Sequence, residues 1–261
     1  MTRVVKLGGR VQQAPELVPA LVAAWRSTPG TLVIVHGGGD EVSALQRTMG
    51  REPQFVDGRR VTTEDDIMLL RMVLSGLVNK RVVAALVAAG VPAVGISGED
   101  AALLSAKPID PTTMGRVGEP DRIDVRLVRH LLKGAFLPVI SPLARDTRSP
   151  AGHALNINGD DAAAALAVAL GAVELLLIAD VPGVLDQGSV APVLDSQQVT
   201  SLIAGREVTA GMIAKLEASS RALAGGVSRV RIGDLSAITD PAQGTRIVSA
   251  STSRAFVRAL A

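Results

Sequence analysis

Two short apolar runs near the N-terminus carry the strongest structural signal in this chain: Val4-Val5-Lys6-Leu7-Gly8-Gly9 and Leu32-Val33-Ile34-Val35-His36-Gly37-Gly38-Gly39. Both runs are rich in β-branched residues and end abruptly in glycines, which predicts buried parallel strands that are each followed by a tight loop. In open α/β sheets, ligands bind at the carboxyl ends of the strands. Because loop N–H groups can bind an anion and Lys6 adds a positive charge, the two runs predict a phosphate-binding site at this edge of the sheet.

The composition narrows the class of protein. The chain has 261 residues, enough for one large α/β domain or two joined lobes. Hydrophobic residues make up 48% of it and aromatic residues only 2%, so we expect a core of Ala, Val, Leu and Ile. A net charge of +2, with no run of Lys and Arg, argues against nucleic-acid binding. Since the sequence has no cysteine and its N-terminus lacks the pattern of a signal peptide, we expect a cytoplasmic protein.

Strand-like and helix-like patterns alternate along the chain, which predicts βαβ crossovers and an α/β fold with a mainly parallel central sheet. Predicted strands lie at residues 3–7, 31–35, 93–96, 137–140, 174–178 and 229–232. Predicted helices lie at residues 15–26, 40–49, 64–89, 124–133, 160–170, 197–204 and 211–224. The apolar segment 162–179 is interpreted as a helix that ends at Gly171 and a buried strand, rather than as a membrane span.

Glycines and prolines mark three irregular segments. The Asp57-Gly58 pair in segment 54–61 predicts a hairpin, which would bring Arg59 and Arg60 onto a ribbon near the glycine loops. Segment 98–120 predicts a small second β region. Segment 142–155 predicts a soft boundary between two lobes of one sheet.

A second polar cluster is Asn156-Ile157-Asn158-Gly159-Asp160-Asp161, which leads into an alanine-rich helix. Capping explains part of it, since Asn158 or Asp160 can cap the helix and acidic residues in the first turn favour its dipole. Alternate positions of an extended segment project to one side, so we also expect Asn156, Asn158 and Asp160 to lie together beside the helix N-terminus. Such a set can bind a substrate carboxylate and orient a lysine.

Two further segments are candidates for contact with the same ligand. Lys215 lies about one turn into the helix predicted to begin at 211, and it is one of only five lysines among 27 basic residues. A lone lysine on a helix is usually a solvated surface residue, so Lys215 becomes a candidate only together with other groups. Asp180-Val181-Pro182-Gly183-Val184 follows another predicted strand, and it either binds a nucleotide or simply turns the chain.

The sequence does not match three common kinds of binding site: the P-loop, the dinucleotide-binding loop and a histidine metal site. Lys6 precedes its glycines, so the loop lacks P-loop spacing, and neither glycine loop has the dinucleotide fingerprint. A glycine pair after a strand can also be no more than a tight turn. We expect His36 to pack or hydrogen-bond, and His36, His130 and His153 show no metal-ligand spacing.

Taken in order, seven motifs resemble the amino-acid kinase family, and within it the members that phosphorylate acetylglutamate: Lys6-Leu7-Gly8-Gly9, His36-Gly37-Gly38-Gly39, Phe55-Val56-Asp57-Gly58-Arg59-Arg60-Val61-Thr62, Gly95-Ile96-Ser97-Gly98, Asn156-Ile157-Asn158-Gly159-Asp160, Asp180-Val181-Pro182-Gly183 and Gly211-Met212-Ile213-Ala214-Lys215. The resemblance implies a three-layer α/β/α sandwich. It also implies transfer of the γ-phosphoryl group of ATP, with Mg²⁺ bound through the ATP phosphates, to the side-chain carboxylate of N-acetyl-L-glutamate, a step of arginine biosynthesis.

The same resemblance implies how the chain is divided. An N-terminal lobe, residues 1–155, would bind the acidic amino acid and dimerise, and a C-terminal lobe, residues 156–261, would bind ATP. We therefore expect a homodimer with a small-molecule substrate and no nucleic-acid or membrane partner.

The resemblance further implies a role for each matching residue. Lys6 and Lys215 would flank the transferred phosphoryl group, and Asp160 would orient both lysines. Arg60 and Asn156 would hold the α-carboxylate of the substrate. Backbone N–H donors would come from Gly8 and Gly9 at the phosphate and from Gly37 and Gly38 at the substrate. The nucleotide pocket would be lined by Asp180, Val181, Pro182, Gly183, Val184 and Gly211.

Some positions depart from the family pattern. Arg10 follows Gly9, and Asp40 and Glu41 follow Gly39, where the family usually has small residues or proline. These charges are expected to change contacts with the nucleotide or the substrate. The resemblance also implies a lack of inhibition by arginine, because arginine-inhibited members have an extra helix before the first strand.

Two other classes of function stay open. One is a kinase for another acidic amino-acid derivative, such as carrier-linked aminoadipate, glutamate or aspartate. The other is a non-catalytic sensor of anions or nucleotides on the same fold. The predicted hairpin and Asn156-Ile157-Asn158 favour acetylglutamate over the first class, and the presence of Lys6, Asp160 and Lys215 favours catalysis over the second.

Overall fold

The computed structural model describes residues 1–149, 151–186, 188–205 and 207–249. The strands in chain order are β1 (Arg3–Leu7), β2 (Leu32–His36), β3 (Phe55–Val56), β4 (Arg59–Arg60), β5 (Ala93–Ser97), β6 (Leu104–Pro108), β7 (Val117–Ile123), β8 (Leu137–Ser141), β9 (Leu143–Asp146), β10 (Ala154–Ile157), β11 (Glu174–Ile178), β12 (Leu185–Asp186), β13 (Ser189–Val190), β14 (Val193–Asp195), β15 (Arg229–Gly233) and β16 (Thr245–Val248). The α-helices are α1 (Leu17–Ser27), α2 (Gly39–Thr48), α3 (Glu64–Leu70), α4 (Asn79–Ala88), α5 (Arg126–Lys133), α6 (Gly159–Leu170), α7 (Ser196–Ala204) and α8 (Ala210–Ala224).

Within the described residues, the centre of the molecule is an eight-stranded sheet in the order β14-β16-β15-β11-β1-β2-β8-β5. The strands from β15 to β5 run parallel, whereas β16 runs antiparallel to β15. This arrangement confirms the mainly parallel sheet predicted from the alternation of strands and helices. The edge strand β14 and its neighbour β16 were not predicted, because they have only three and four residues and no clear apolar alternation.

Helices cover both faces of this sheet. Neighbouring strand residues alternate between the two layers: Val4 packs with α6 and α8, and Val5 packs with α1 and α4. The alanine-rich start of α6, including Ala163, is fully buried against the first layer. The three-layer α/β/α sandwich expected from the family resemblance is therefore confirmed.

A small closed barrel, β10-β7-β6-β9, lies beside the central sheet. It includes the β region predicted at 98–120 but continues through β9 and β10. These two strands were not predicted. They pair with each other, but β9 also pairs with β6 and β10 with β7, and local patterns do not report pairing between strands so distant in sequence.

The predicted hairpin at 54–61 is present as β3 and β4. Asp57 and Gly58 have φ values of 47° and 74°, as a two-residue turn of this kind requires. The long helix predicted at 64–89 begins with a capping box between Thr63 and Asp66. However, a π-helical segment, Arg71–Val78, separates α3 from α4, and a hydrophobic period of 3.6 residues does not reveal it.

Segment 162–179 divides into α6 and β11, and Gly171 ends the helix in the left-handed conformation with a φ of 63°, as predicted. None of the helices in the described ranges is both long enough and apolar enough for a membrane crossing.

The two halves of the chain occupy two sides of the central sheet and meet where β1 pairs with β11. The boundary expected at residue 155 falls inside β10, which belongs to the barrel. Pro150, in the predicted boundary segment, and residues 250–261, at the end of the predicted C-terminal lobe, lie outside the described residues.

Candidate active site

The two glycine loops lie side by side at the carboxyl edge of the sheet. β1 and β2 are parallel neighbours with Leu7 opposite His36, so both loops leave the sheet at the same level. Gly38 has a φ of 157°, and a Cβ atom there would lie 2.7 Å from Cδ2 of Leu74. Only glycine therefore fits at this position without a shift in the packed side chains.

The N–H groups of Gly8, Gly9, Gly37 and Gly38 were all expected to be donors to a ligand, but two of them already bond to the protein backbone. The N–H of Gly8 donates to the carbonyl of Ile178 at 3.1 Å, and the N–H of Gly37 donates to the carbonyl of Leu7 at 3.1 Å. These bonds extend the pairing of the parallel strands by one residue. Among the described residues, no backbone bond of a loop or turn uses the N–H group of Gly9 or Gly38. These two donors are left for an anion.

Three charged side chains meet at this edge. Nζ of Lys6 lies 3.0 Å from Oδ1 of Asp160, and Nζ of Lys215 donates to Oδ2 of the same carboxylate at 3.1 Å. The residues come from β1, the first turn of α6 and the second turn of α8, and all three are buried. The structure thus brings together the three groups predicted to be catalytic. Burial of Lys215 also excludes the alternative of a solvated surface lysine.

The charges of this group depend on one another. Burial lowers the pKa of Lys6 to about 8, even though the carboxylate of Asp160 raises it. Burial raises the pKa of Asp160, but the ammonium groups of Lys6 and Lys215 outweigh burial and hold that pKa below its usual value. The carboxylate is therefore ionised at neutral pH, and two ammonium groups around one carboxylate leave a positive charge for an anionic ligand.

A cavity of about 670 Å³ opens on one side of the lysines. Its lining includes both lysines and six residues predicted to contact the phosphate or the nucleotide: Gly8, Gly9, Asp180, Val181, Gly183 and Gly211. Pro182 and Val184 are outside this lining. Val184 is fully buried, and its N–H donates to Oγ1 of Thr245 at 2.8 Å, so it supports the loop from behind.

The rest of this lining contains apolar side chains that sequence reasoning did not single out, and also Arg10, whose charge it did. Val208 and Met212 supply apolar surface of the kind that an aromatic base packs against. Arg10 lies at the mouth of the cavity, where Nη1 is 3.0 Å from Oδ2 of Asp180 and Nε is 3.9 Å from Oδ2 of Asp40. The unusual charges noted at positions 10 and 40 are therefore neighbours in the folded protein.

A smaller cavity, of about 170 Å³, lies next to the glycine loops. Its lining includes four residues predicted to bind the substrate, Gly37, Gly38, Arg60 and Asn156, and it shares Gly39 with the larger cavity. The Nδ2 atom of Asn156 donates to Oγ1 of Thr62 at 2.9 Å, which fixes the amide toward the hairpin.

Arg60 is buried and held from α2. Nη2 of Arg60 donates to the carbonyl of Gly39 at 2.8 Å and to Oγ of Ser43 at 2.7 Å, and Nη1 donates to Oε1 of Gln46. The ring of Phe55 lies 4.8 Å from the guanidinium carbon. Sequence reasoning missed Ser43 and Gln46. Their positions four and seven residues after Gly39, on one helix face, were the signal available.

Asn156, Asn158 and Asp160 do not form the extended polar row that was predicted. Strand β10 ends at Ile157, Asn158 is the N-cap residue, and α6 already includes Asp160. The side-chain oxygen of Asn158 accepts the N–H of Asp160 at 2.8 Å. Helix geometry therefore directs Asp160 toward the lysines, whereas Asn156 lies at the smaller cavity.

His36 is structural, as predicted. It is fully buried, its Nδ1 lies 2.9 Å from the carbonyl of Gly37, and its Nε2 lies 3.1 Å from Nδ2 of Asn79. Burial lowers the pKa of His36 to about 4. The neutral ring, with the proton on Nδ1, satisfies both contacts.

Comparison with known proteins gives a consistent family assignment. The model of the amino acid kinase family matches residues 1–234. The acetylglutamate kinase of Chloroflexus aurantiacus is 42% identical over 245 residues, covering 93% of this chain and 95% of that protein. The acetylglutamate kinase of Geobacillus stearothermophilus is 41% identical over 234 residues, covering 88% and 89%.

A solved structure supports the same assignment. The crystal structure of smu.665 from Streptococcus mutans UA159 matches with a TM-score of 0.84 and 33% sequence identity, covering 95% of this chain and 98% of that one. A family match over residues 1–234 and relatives at 41–42% identity show that this chain is a kinase and belongs to the amino acid kinase family.

Proposed function

We propose that the protein transfers the γ-phosphoryl group of ATP to the side-chain carboxylate of N-acetyl-L-glutamate, a step of arginine biosynthesis. The observation that carries this proposal is the junction of Lys6 and Lys215 on the carboxylate of Asp160, beside a large cavity and close to a small one. A kinase needs two adjoining sites with concentrated positive charge between them. The names of the relatives from Chloroflexus and Geobacillus support this choice of substrate.

ATP is assigned to the larger cavity. The apolar side chains of Val181, Val208 and Met212 suit an adenine ring, and the free N–H of Gly9 and the two lysines suit the phosphates. Since Lys6 and Lys215 occupy both oxygens of Asp160, we assign Mg²⁺ to the ATP phosphates rather than to this carboxylate. When bound there, Mg²⁺ would neutralise phosphate charge.

Acetylglutamate is assigned to the smaller cavity, whose size suits only a small molecule. Arg60 supplies a guanidinium, the group best matched to a carboxylate, and Asn156 supplies an amide for the same end of the substrate. The side-chain carboxylate would then point toward Gly9 and Lys6, where the transfer takes place.

The transfer itself breaks the bond between the γ-phosphorus and the oxygen bridging to the β-phosphate, and forms a bond from that phosphorus to a carboxylate oxygen. The products are ADP and an acyl phosphate, and the acceptor oxygen has no proton to lose. The main obstacle is repulsion between two anions, so positioned positive charge supplies most of the catalysis. In this proposal Lys6 and Lys215 provide that charge, and Asp160 fixes their ammonium groups.

The two halves of the chain, which lie on two sides of the central sheet, are proposed to bind different ligands. Residues 1–155 would bind the acid and dimerise, and residues 156–261 would bind most of the nucleotide. The N-terminal half completes the nucleotide cavity with Lys6, residues 8–11, Gly39 and Asp40. Exposed Met68, Met72 and Leu77 on α3 and the π-helical segment support a homodimer, because large apolar side chains on one helix favour a partner.

The direct test is a substrate panel with Mg-ATP: acetylglutamate, glutamate, aspartate and aminoadipate. We expect ADP release and an acyl phosphate, trapped by hydroxylamine, with acetylglutamate at a kcat/KM well above that of the others. Preference for a different acid would replace the assigned substrate, and no turnover of any acid would contradict the proposal. Light scattering on the same sample should give twice the protomer mass.

A further inference from the structure

Asp161, the neighbour of Asp160, has two arginine partners that the proposed reaction does not use. The carboxylate of Asp161 is buried. Its Oδ2 lies 2.7 Å from Nη1 of Arg59, and its Oδ1 contacts Nη2 of Arg221. The side chain of Arg59 is 22% exposed and that of Arg221 is 50% exposed. The contact with Arg59 is therefore the better shielded of the two, and it is weakened less by solvent.

Each of these three residues is a chain neighbour of a residue of the candidate active site or lies on the same helix as one. Arg59 precedes Arg60 on β4, Asp161 follows Asp160 on α6, and Arg221 lies on α8, the helix that carries Lys215. One buried carboxylate thus connects the hairpin of the acid site with both helices of the lysine junction.

The hairpin needs such an anchor. Within the described residues, β3 and β4 form a two-stranded sheet of their own, and a hairpin of this kind is only marginally stable alone. Backbone bonds from Thr62 to Met114 and from Arg116 to Thr62 fasten the chain just after the hairpin, and side chains hold β3 and β4 themselves. Arg60 holds one side through Gly39, Ser43 and Gln46, and Arg59 holds the other through Asp161.

We propose that Asp161 is a positioning residue that sets the hairpin, and hence Arg60, relative to the lysine junction. This inference rests on the proposed function for its kinetic consequence. A simpler role exists, since an acidic residue in the first turn stabilises a helix through its dipole. That role requires no arginine and predicts a loss of stability without a selective change in binding of the acid.

The test compares Asp161→Asn, Arg59→Gln and the double variant. If Asp161 positions Arg60 through Arg59, each single change should raise the KM for acetylglutamate about tenfold, with the KM for ATP changed less than about twofold. The double variant should be no worse than the worse single one, because both changes break the same contact. Asp65→Asn is the matched control: Asp65 is also in the first turn of a helix and pairs with Arg51 at 3.0 Å, but it is exposed.

Several outcomes would overturn the inference. One is an unchanged KM for acetylglutamate in folded Asp161→Asn. Another is a double variant whose effect is the product of the single effects. If Asp161→Asn fails to fold, Arg59→Gln decides alone by the same KM criterion, since its side chain is partly exposed.

A second readout separates this inference from the proposed function. If the wild-type protein does not turn over acetylglutamate, the proposed function fails, and hydrogen exchange then tests the positioning. The amide of Val61, which donates to the carbonyl of Gln54 at 2.9 Å, should exchange faster in Asp161→Asn than in wild type and Asp65→Asn. Equal exchange in all three would contradict the anchor.

Discussion

At the scale of single residues, Lys6 is a buried group whose charge changes with pH in the working range. Burial lowers its pKa to about 8, so the free protein loses this ammonium as the pH rises through that value. The proposed reaction needs the charged form. We therefore expect kcat/KM, which reports ionisations of the free enzyme, to fall above about pH 8.

A Lys6→Arg variant provides the control for this pH profile. Arginine keeps its charge across the range, so the residual activity of the variant should show no loss near pH 8. A wild-type kcat/KM that stays flat to pH 10 would contradict a role for the ammonium of Lys6.

Single residues also show where prediction from sequence stops. Local patterns singled out Lys6, Asp160 and Lys215 and placed Arg60 on a ribbon beside the glycine loops, but the role of each residue came from the resemblance to a family. The partners of Arg60 and Asp161 were not predicted. They come from elements distant in the chain, and no local pattern reports which side chains meet after folding.

At the scale of elements, Glu174 ties three strands together. It is buried at the start of β11, where Oε2 accepts from Nε of Arg3 on β1 at 2.6 Å and Oε1 accepts from Nε of Arg231 on β15 at 2.9 Å. Burial raises the pKa of this carboxyl, but the two arginines outweigh burial and hold it below its ordinary value. Its ionised form therefore stabilises the fold above the pKa of the unfolded chain, and this contribution is lost as the pH falls.

Glu174→Gln should lower the free energy of unfolding at pH 7 by about 3 kcal/mol, because it leaves buried arginine charge without its partner. Urea unfolding measures this change, and the loss should be smaller at pH 4 than at pH 7. Since Glu174 lies at the opposite end of the strand from the glycine loops, KM values should stay unchanged. A stability equal to that of wild type at pH 7 would contradict this account.

Elements with strong local signals were predicted well. The parallel strands have continuous apolar runs, and the helices have clear starts and ends at Thr63, Gly134 and Gly171. The barrel, the strands β14 and β16 and the π-helical segment were missed or only partly predicted. Their strands are short and depend on distant pairing, which propensity does not record.

At the scale of the whole molecule, the candidate active site lies at the middle of the central sheet and is assembled from both halves of the chain. Lys6 comes from the first strand and Lys215 from the last long helix, and Asp160 holds both from a third element. Only the pairing of β1 with β11, and the packing of α6 and α8 on that pair, brings them together. The proposed catalysis therefore depends on the joint action of residues that are far apart in sequence.

The measurement that tests this claim most directly is the kcat of Lys6→Met and Lys215→Met with saturating acetylglutamate and Mg-ATP. Lys133→Met, at an exposed lysine on α5, is the control for loss of one positive charge. Each of the two variants should fold and yet lose about 10³-fold or more in kcat, since a charge directed at the transferring phosphoryl group is removed, while the control keeps wild-type activity. A kcat within about tenfold of wild type in either folded variant would contradict the account.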